Sequence, residues 1–369
     1  MGRARSSRAV VQTGVQTFEV HEFERPAVGP DDAVLRMELC GICGSDIEQY
    51  DGRFEDRGWV RGPTIPGHEP LGIIDEIGER AAKRWGVAPG DRVAVEPLIP
   101  CGQCEACKSG QSTRCNGWGR VFSYGLLGTE IEPSLLGGYS EYMYLHPNSV
   151  MHRMSAALPA EVAVLFNPLA AGIRWAATES DLRLGDTIVI LGAGQRGLAA
   201  VIAARAAGAG KIIVTDLARA SGKLDFAREL GAHATIVADE EDVVARVEEL
   251  TAGRLADVVL DVTPVATQPI LDAIEMVRNG GTIVLAGVKG GPTAAIDQDR
   301  IVFKSITVRG VFTVDSPAYR QAIRLLEEGG LPFERMHTAS YGLDRAEEAI
   351  HHLAGRMDGA PAIHVAIAP

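Results

Sequence analysis

Four of the six cysteines fall in one short stretch: Cys101-Gly-Gln-Cys104-Glu-Ala-Cys107, then seven residues, then Cys115. Thiolates at this C-x2-C-x2-C-x7-C spacing can close on one tetrahedral zinc, at bonds of about 2.3 Å, and leave no position open for a substrate. The spacing therefore predicts a structural ion. The same thiolates could instead carry a four-iron cluster, and free or disulfide-bonded cysteines are the plain alternative. A second set lies nearer the start. Gly41-Ile-Cys43-Gly-Ser45-Asp46 offers a thiolate, and Gly67-His68-Glu69-Pro-Leu-Gly72 offers an imidazole. Together these could hold a zinc that keeps one position free. Such an ion polarises an alcohol oxygen, lowers its pKa and eases departure of a hydride. Asp46 and Glu69 are candidates to orient the histidine ring and tune the ion. Either segment alone reads as ordinary structure; their combination carries the chemistry.

A third constellation suits phosphate. Gly192-Ala-Gly194-Gln195-Arg196-Gly197 follows an apolar run and opens an alanine-rich stretch. In that setting Gly192 permits a tight turn, Gly194 lets the backbone approach a pyrophosphate, and Gly197 allows close packing of helix on strand. The helix N-terminus adds amide donors and partial positive charge. Asp216, nineteen residues after Gly197, ends the next strand-like run. Its carboxylate suits the ribose hydroxyls of an adenosine and repels a 2′-phosphate, which favours NAD. Arg219 could instead clasp that phosphate, so NADP stays open.

These residues need two kinds of scaffold. Before Asn167 the chain reads as short strands joined by Gly/Pro turns: 33–39, 72–77, Arg92–Val95 and 138–145. Beyond it, strand-like runs at Thr187–Leu191, 211–215, Ala256–Asp261 and 281–286 alternate with helical stretches at 198–207, 223–230 and 267–278. That alternation predicts βαβ units on a parallel sheet. Ser316-Pro317 opens one closing helix and Asp344 another. Lys and Arg number 36 against 48 Asp and Glu, a net charge of −12. That balance argues against nucleic acid or an anionic membrane as partner. No run reaches ~20 uncharged apolar residues, since Arg196 and Arg205 break 187–210. The basic start, Arg3, Arg5 and Arg8, reads as a disordered tail, and a cytoplasmic protein is expected.

The order of Cys43-Gly-Ser-Asp46, Gly67-His68-Glu69-x2-Gly72-x5-Gly78, the four-cysteine lobe (98–118) and the dinucleotide turn resembles the zinc-containing medium-chain dehydrogenases. That family includes alcohol, sorbitol and threonine dehydrogenases. The resemblance implies a GroES-like, β-rich catalytic domain over 1–167 and a Rossmann domain with a doubly wound parallel sheet over 168–309. Residues 310–369 would return to the catalytic domain. It also implies two zincs per subunit and hydride transfer between a primary or secondary alcohol and NAD(P). Cys43 and His68 would bind the catalytic zinc, and Ser45 would take the alcohol proton. A homodimer or homotetramer is implied, with 281–288 and 301–311 at the subunit contact.

Two positions depart from the family. Its third catalytic ligand, cysteine or glutamate, falls on Asn167, a poor zinc ligand. Glu69 is therefore expected to bind the metal directly, with Asn167 a weak ligand or a hydrogen-bond donor beside it. Glu48 stands where many relatives carry a relay histidine, and reads either as a proton relay or as a solvated carboxylate. Two other functions fit parts of the pattern. A zinc-free carbonyl, enone or quinone reductase of the same fold typically lacks the cysteine lobe and the Cys/His pair. A non-catalytic dinucleotide-binding homologue would have Asn167 as its sign. His351 and His352 point apart on one helix and read as surface. His21, His146, His152, His233, His337 and His364 have no ligand-like neighbours in sequence, and Cys40 reads as core. Trp59 and Trp118 could line a substrate pocket or pack in a core. The substrate itself is not readable, because fold does not fix pocket shape.

Overall fold

The computed structural model describes residues 6–55 and 58–369, so Arg3 and Arg5 lie outside the described residues. Two compact units emerge. The first takes the residues up to Asn167 together with Ile323–Gly329 and Phe333–Pro369; the second takes Pro168–Ala322 and Gly330–Pro332.

In the first unit, β1 (Ser6–Gly14) and β2 (Thr17–Glu24) form an antiparallel hairpin. Next come β3 (Ala33–Gly41), β4 (Glu69–Ile77), β5 (Arg92–Val95), β6 (Tyr142–Leu145) and β7 (Met151–Arg153). β3 (AVLRMELCG) is apolar at nearly every position and almost wholly buried, as a central strand covered on both faces must be. Two late strands, β14 (His337–Tyr341) and β15 (His364–Ile367), complete this sheet in the order β14-β15-β3-β4-β5-β7, with β6 also on β3. β15 is thus hydrogen-bonded to the strand that ends at Gly41, just before the Cys43 turn.

The second unit holds β8 (Thr187–Leu191), β9 (Lys211–Asp216), β10 (Ala234–Val237), β11 (Ala256–Asp261), β12 (Val277–Leu285) and β13 (Thr307–Gly310). All pair in parallel in the order β10-β9-β8-β11-β12-β13. Strand order reverses between β8 and β11. In an open α/β sheet this switch point, outside the carboxyl ends of the strands, is where a dinucleotide binds.

Several expectations shift. Arg8 is not in a loose tail: it sits in β1, its amide donates to Glu141 and its guanidinium pairs with Asp344. The run 138–145 is strand only from Tyr142, because Tyr139 is taken by Val10, whose N–H donates to its carbonyl at 2.8 Å. The helix expected over 267–278 ends at Met276, where the chain enters β12 directly. The boundary expected at 310 falls at 323. Residues 312–313 stay with the second unit because Arg174 donates to both of their carbonyls and Trp175 to that of Thr313.

Candidate metal centres and dinucleotide turn

The four-cysteine lobe is built from a one-turn helix, Glu105–Lys108, and a 3-10 turn, Ser112–Arg114. Cys101, Cys104, Cys107 and Cys115 bring their sulfurs within 4.8 Å of one another. Separations of 3.5 Å (Cys104–Cys107) and 3.9 Å (Cys101–Cys107, Cys104–Cys115) match the about 3.8 Å edge of a tetrahedron with 2.3 Å bonds. A cube of four irons would spread its thiolates wider, so a single ion fits this cage. Backbone amides aim at the sulfurs: Cys101 N–H donates to Cys115 Sγ, and the N–H groups of Gln103 and Cys104 donate to Cys101 Sγ. Amides of this kind, including that of Cys107, pull the Cys104 thiol down to about 6, while burial pushes Cys107 up to about 12. Gly117 is required beside the cage, since a Cβ there would collide with Cys101 Sγ.

The second set also converges. Cys43, His68 and Glu69 place one donor atom each within 4.8 Å of one another. Cys43 ends the turn after β3 and caps the helix Gly44–Tyr50. Asp46, in its first turn, accepts the Cys43 N–H at 2.7 Å and so fixes the thiolate's backbone. The other Asp46 oxygen lies 3.1 Å from His68 Nδ1, which leaves Nε2 to face the donors. Ser45 Oγ is 3.2 Å from that Nε2. Glu69 and Asp46 are 0% and 1% exposed. Burial works against charge on His68, yet Asp46 and the Cys43 thiolate hold its pKa well above the ordinary imidazole value. A field that favours imidazolium equally favours a metal cation. The donors, a thiolate, an imidazole and a carboxylate, are those zinc takes at open catalytic sites, so the residues present fit the ion. Asn167 is buried in the helix Phe166–Gly172.

Glu48 is not a solvated carboxylate. It is 7% exposed and accepts a hydrogen bond from Arg53 at 2.7 Å. Trp118 stacks on Phe122 and donates to the Ile99 carbonyl, and Trp59 packs against Phe54. Cys40 is fully buried. His352 bonds Tyr341 Oη, and His351 meets the Tyr50 ring edge-on. His337 and His364, set aside in the sequence, are brought to 3.0 Å of each other.

In the second unit, Gly192 has a φ of 103°, and Gly194 caps the helix Gln195–Ala206. A Cβ on Gly197 would strike the Gly192 carbonyl, so strand end and helix pack as the fingerprint requires. Gln195 is buried, and the Arg196 guanidinium lies over the Trp175 ring at 5.1 Å. Asp216 Oδ2 accepts the Ala193 N–H and Oδ1 the Leu217 N–H, each at 2.7 Å. The carboxylate is thereby clamped at the end of β9, beside the phosphate turn. Arg219 is exposed on the 3-10 turn Ala218–Ala220. Lys223, which sequence reading gave only a helical role, is near enough to Asp216 for that charge to oppose the effect of its burial.

Two family models match the chain: the alcohol dehydrogenase GroES-like domain over residues 29–156 and the zinc-binding dehydrogenase domain over 197–328. The chain is 43% identical to a protein of Mycobacterium tuberculosis named "Probable alcohol dehydrogenase adh", with 98% of each covered. It is 30% identical to erythritol/L-threitol dehydrogenase of Mycolicibacterium smegmatis, over 98% of this chain and 97% of that one. A solved Sinorhizobium meliloti protein, assigned as a zinc-binding dehydrogenase and bound to NADP, superposes with a TM-score of 0.85 at 28% identity, covering 99% of each chain. The chain belongs to the zinc-binding medium-chain alcohol dehydrogenase family. It is an NAD(P)-dependent oxidoreductase of small alcohols and their carbonyl products, with GroES-like and Rossmann domains and zinc as its metal. No helix among the described residues is long and apolar enough to cross a membrane.

Proposed function

We propose that the chain oxidises a small primary or secondary alcohol with NAD at a metal centre formed by Cys43, His68 and Glu69, while Cys101, Cys104, Cys107 and Cys115 hold a structural zinc. The convergence of the three unlike donors within 4.8 Å is the observation that carries this reading. Zinc at that centre supplies Lewis acidity toward the alcohol oxygen. The remaining steps belong to the chain. Asp46 accepts the Nδ1–H of His68 and so fixes the tautomer that presents a bare Nε2. Ser45 Oγ, beside that nitrogen, accepts the hydroxyl proton of the alcohol and releases its own toward solvent. NAD, held at the Gly192–Gly197 turn and Asp216, would supply the acceptor for the hydride of the carbinol carbon, and the alcohol would leave as its carbonyl product. Glu48 has its carboxylate committed to Arg53, so the proton leaves Ser45 without it. Asn167 acts as a neutral hydrogen-bond donor near the centre, Glu69 having taken the third ligand position.

NAD is preferred because the clamped Asp216 carboxylate opposes a 2′-phosphate. Six reduced cysteines, four of them committed to one cage, suit a reducing cytoplasm. The working form is a homo-oligomer joined through the β13 edge. Zinc per subunit, measured by elemental mass spectrometry beside turnover of mono-alcohols and polyols with both cofactors, tests the whole reading. Two zincs and NAD-linked oxidation are expected. One zinc confined to the cysteine lobe, with no turnover, would overturn it and favour a non-catalytic dinucleotide binder.

A further inference from the structure

We propose that Lys289 is a positioning residue for the coenzyme: its ammonium ties the loop after β12 to the end of β11, and so pre-forms the surface that receives the nicotinamide half of NAD. This rests on the dinucleotide reading of the second unit and deepens it. The place follows from the sheet. Strand order reverses between β8 and β11, with the glycine turn at the end of β8 and Asp216 at the end of β9. A dinucleotide that sets its adenosine ribose on Asp216 and its phosphates on that turn runs on over the ends of β11 and β12. There the loops are packed with no room to spare. A Cβ on Gly192 would lie 3.2 Å from Thr263 Cγ2, and one on Gly287 would lie 2.2 Å from the Thr263 carbonyl oxygen. Thr263 is thus wedged between the phosphate turn and the loop after β12, where the Ala286 and Gly287 N–H groups both donate to the Asp261 carbonyl at 2.9 Å.

Asp261 ends β11 as a carboxylate in an apolar strand and is 0% exposed. A charge so buried requires a counter-charge. Lys289 brings one from the neighbouring loop, its Nζ 2.8 Å from Asp261 Oδ2. The same ammonium donates to the Thr263 carbonyl at 2.6 Å and to Thr263 Oγ1 at 2.8 Å. That hydroxyl donates its own proton to Asp261 Oδ1 at 2.5 Å, and the Thr263 N–H goes to the same oxygen at 2.9 Å. Each hydrogen bond has one donor and one acceptor. The Lys289 charge is neutralised inside the protein, so the residue acts as a tether and not as a phosphate ligand. Two residues beyond Thr263, Val265 is held at a φ of 62°, a left-handed conformation that a β-branched residue adopts only where its surroundings impose it. Its N–H reaches the carbonyl of Val288, the residue before Lys289, at 3.4 Å. The tether fixes both loops before coenzyme arrives, so binding does not have to order them.

The test compares full-length wild type, Lys289→Met and Thr263→Val. Binding of NADH is followed by nicotinamide fluorescence, and binding of AMP, which reaches only the adenosine side, by calorimetry. Lys289→Met should raise the Kd for NADH by about tenfold, the effect of leaving one or two side chains to be ordered on binding. It should leave the Kd for AMP unchanged. In turnover the KM for NAD should rise by a larger factor than kcat falls, as loss of coenzyme binding requires. Amide hydrogen exchange over 286–292 should quicken in the free variant. Thr263→Val, which removes the hydroxyl link but keeps the ion pair, should move the Kd for NADH in the same direction by less. If Lys289→Met leaves the Kd for NADH at wild type, or raises those for NADH and AMP alike, the positioning role is wrong and the dinucleotide site stands. Should Lys289→Met fail to fold, an unchanged Kd for NADH in Thr263→Val overturns the role equally. A wild type that binds neither NADH nor AMP would sink the dinucleotide reading and this inference with it.

Discussion

At the scale of single residues, two side chains decide details that the motif pattern leaves open. Glu48 sits on the helix that carries Ser45 and Asp46, but its charge is neutralised by Arg53 five residues later. Replacing it with glutamine should leave the pH–rate profile of alcohol oxidation in place, with kcat changed less than about threefold, an effect of well under 1.4 kcal/mol. A lost or displaced limb in that profile would restore the relay role. In the proposed reading Asp216 sets the choice between NAD and NADP. Asp216→Asn keeps an acceptor for the Ala193 amide and removes the charge. The ratio of kcat/KM for NADP over NAD should rise about tenfold, equivalent to ~1.4 kcal/mol. Steady-state kinetics with both cofactors check this, and an unchanged ratio would assign the selectivity elsewhere. The clustering of the four cysteines, of Cys43, His68 and Glu69, and the glycine turn were legible in the sequence, because few residue types suit those jobs and their spacing is short. The Glu48–Arg53 pair was not legible, since the chain leaves the helix between them. The His337–His364 contact joins residues 27 apart that only strand pairing brings together.

Secondary-structure elements explain why some segments were readable and others not. The β8, β9 and β11 runs are short, apolar and flanked by glycine, as strands buried on both faces must be. β2 alternates less clearly and is largely exposed, so nothing in its composition announced the β1–β2 hairpin that takes up Arg8. The Cys43 helix was hidden by its glycine. One consequence at this scale concerns the lobe's exit. His146 follows β6 directly, meets Trp118 and Phe122 edge-on, and accepts the Asn148 N–H at its Nδ1. Burial lowers its pKa below 6.5, against a weaker opposing pull from Asp32. The unfolded chain therefore binds more protons than the folded one just below 6.5. Stability from this group is present above that pH and is lost as pH falls toward the depressed folded value. Denaturant unfolding of wild type and His146→Gln on either side of 6.5 should show a shallower acid loss in the variant. Parallel losses would remove His146 from the account.

On the scale of the whole molecule, the remaining question is how the second unit's sheet ends. Among the described residues β13 pairs only with β12, so its outer backbone groups face away from the sheet. An exposed edge of this kind is a template for another strand. Large apolar side chains lie on it or flank it in sequence: Val308, within the strand, is 41% exposed, and Val302, Phe303 and Phe312 beside it are 68%, 82% and 48% exposed. Such side chains clustered along an open edge mark an association surface. A second copy of the chain can place its own β13 antiparallel to this one across a two-fold axis. That arrangement satisfies both edges at once and is self-complementary, as a closed dimer requires. The net charge of −12 opposes association weakly, because exposed charges are screened beyond about 8 Å at physiological salt. Light scattering should therefore give the mass of a dimer or a tetramer. The double variant Phe303→Glu, Val308→Lys should reduce that mass to the 39.2 kDa of one chain, with both zincs retained. A wild-type monomer would refute the interface outright. A variant that stays oligomeric would move the contact to another face and leave β13 as an edge protected only by its short length.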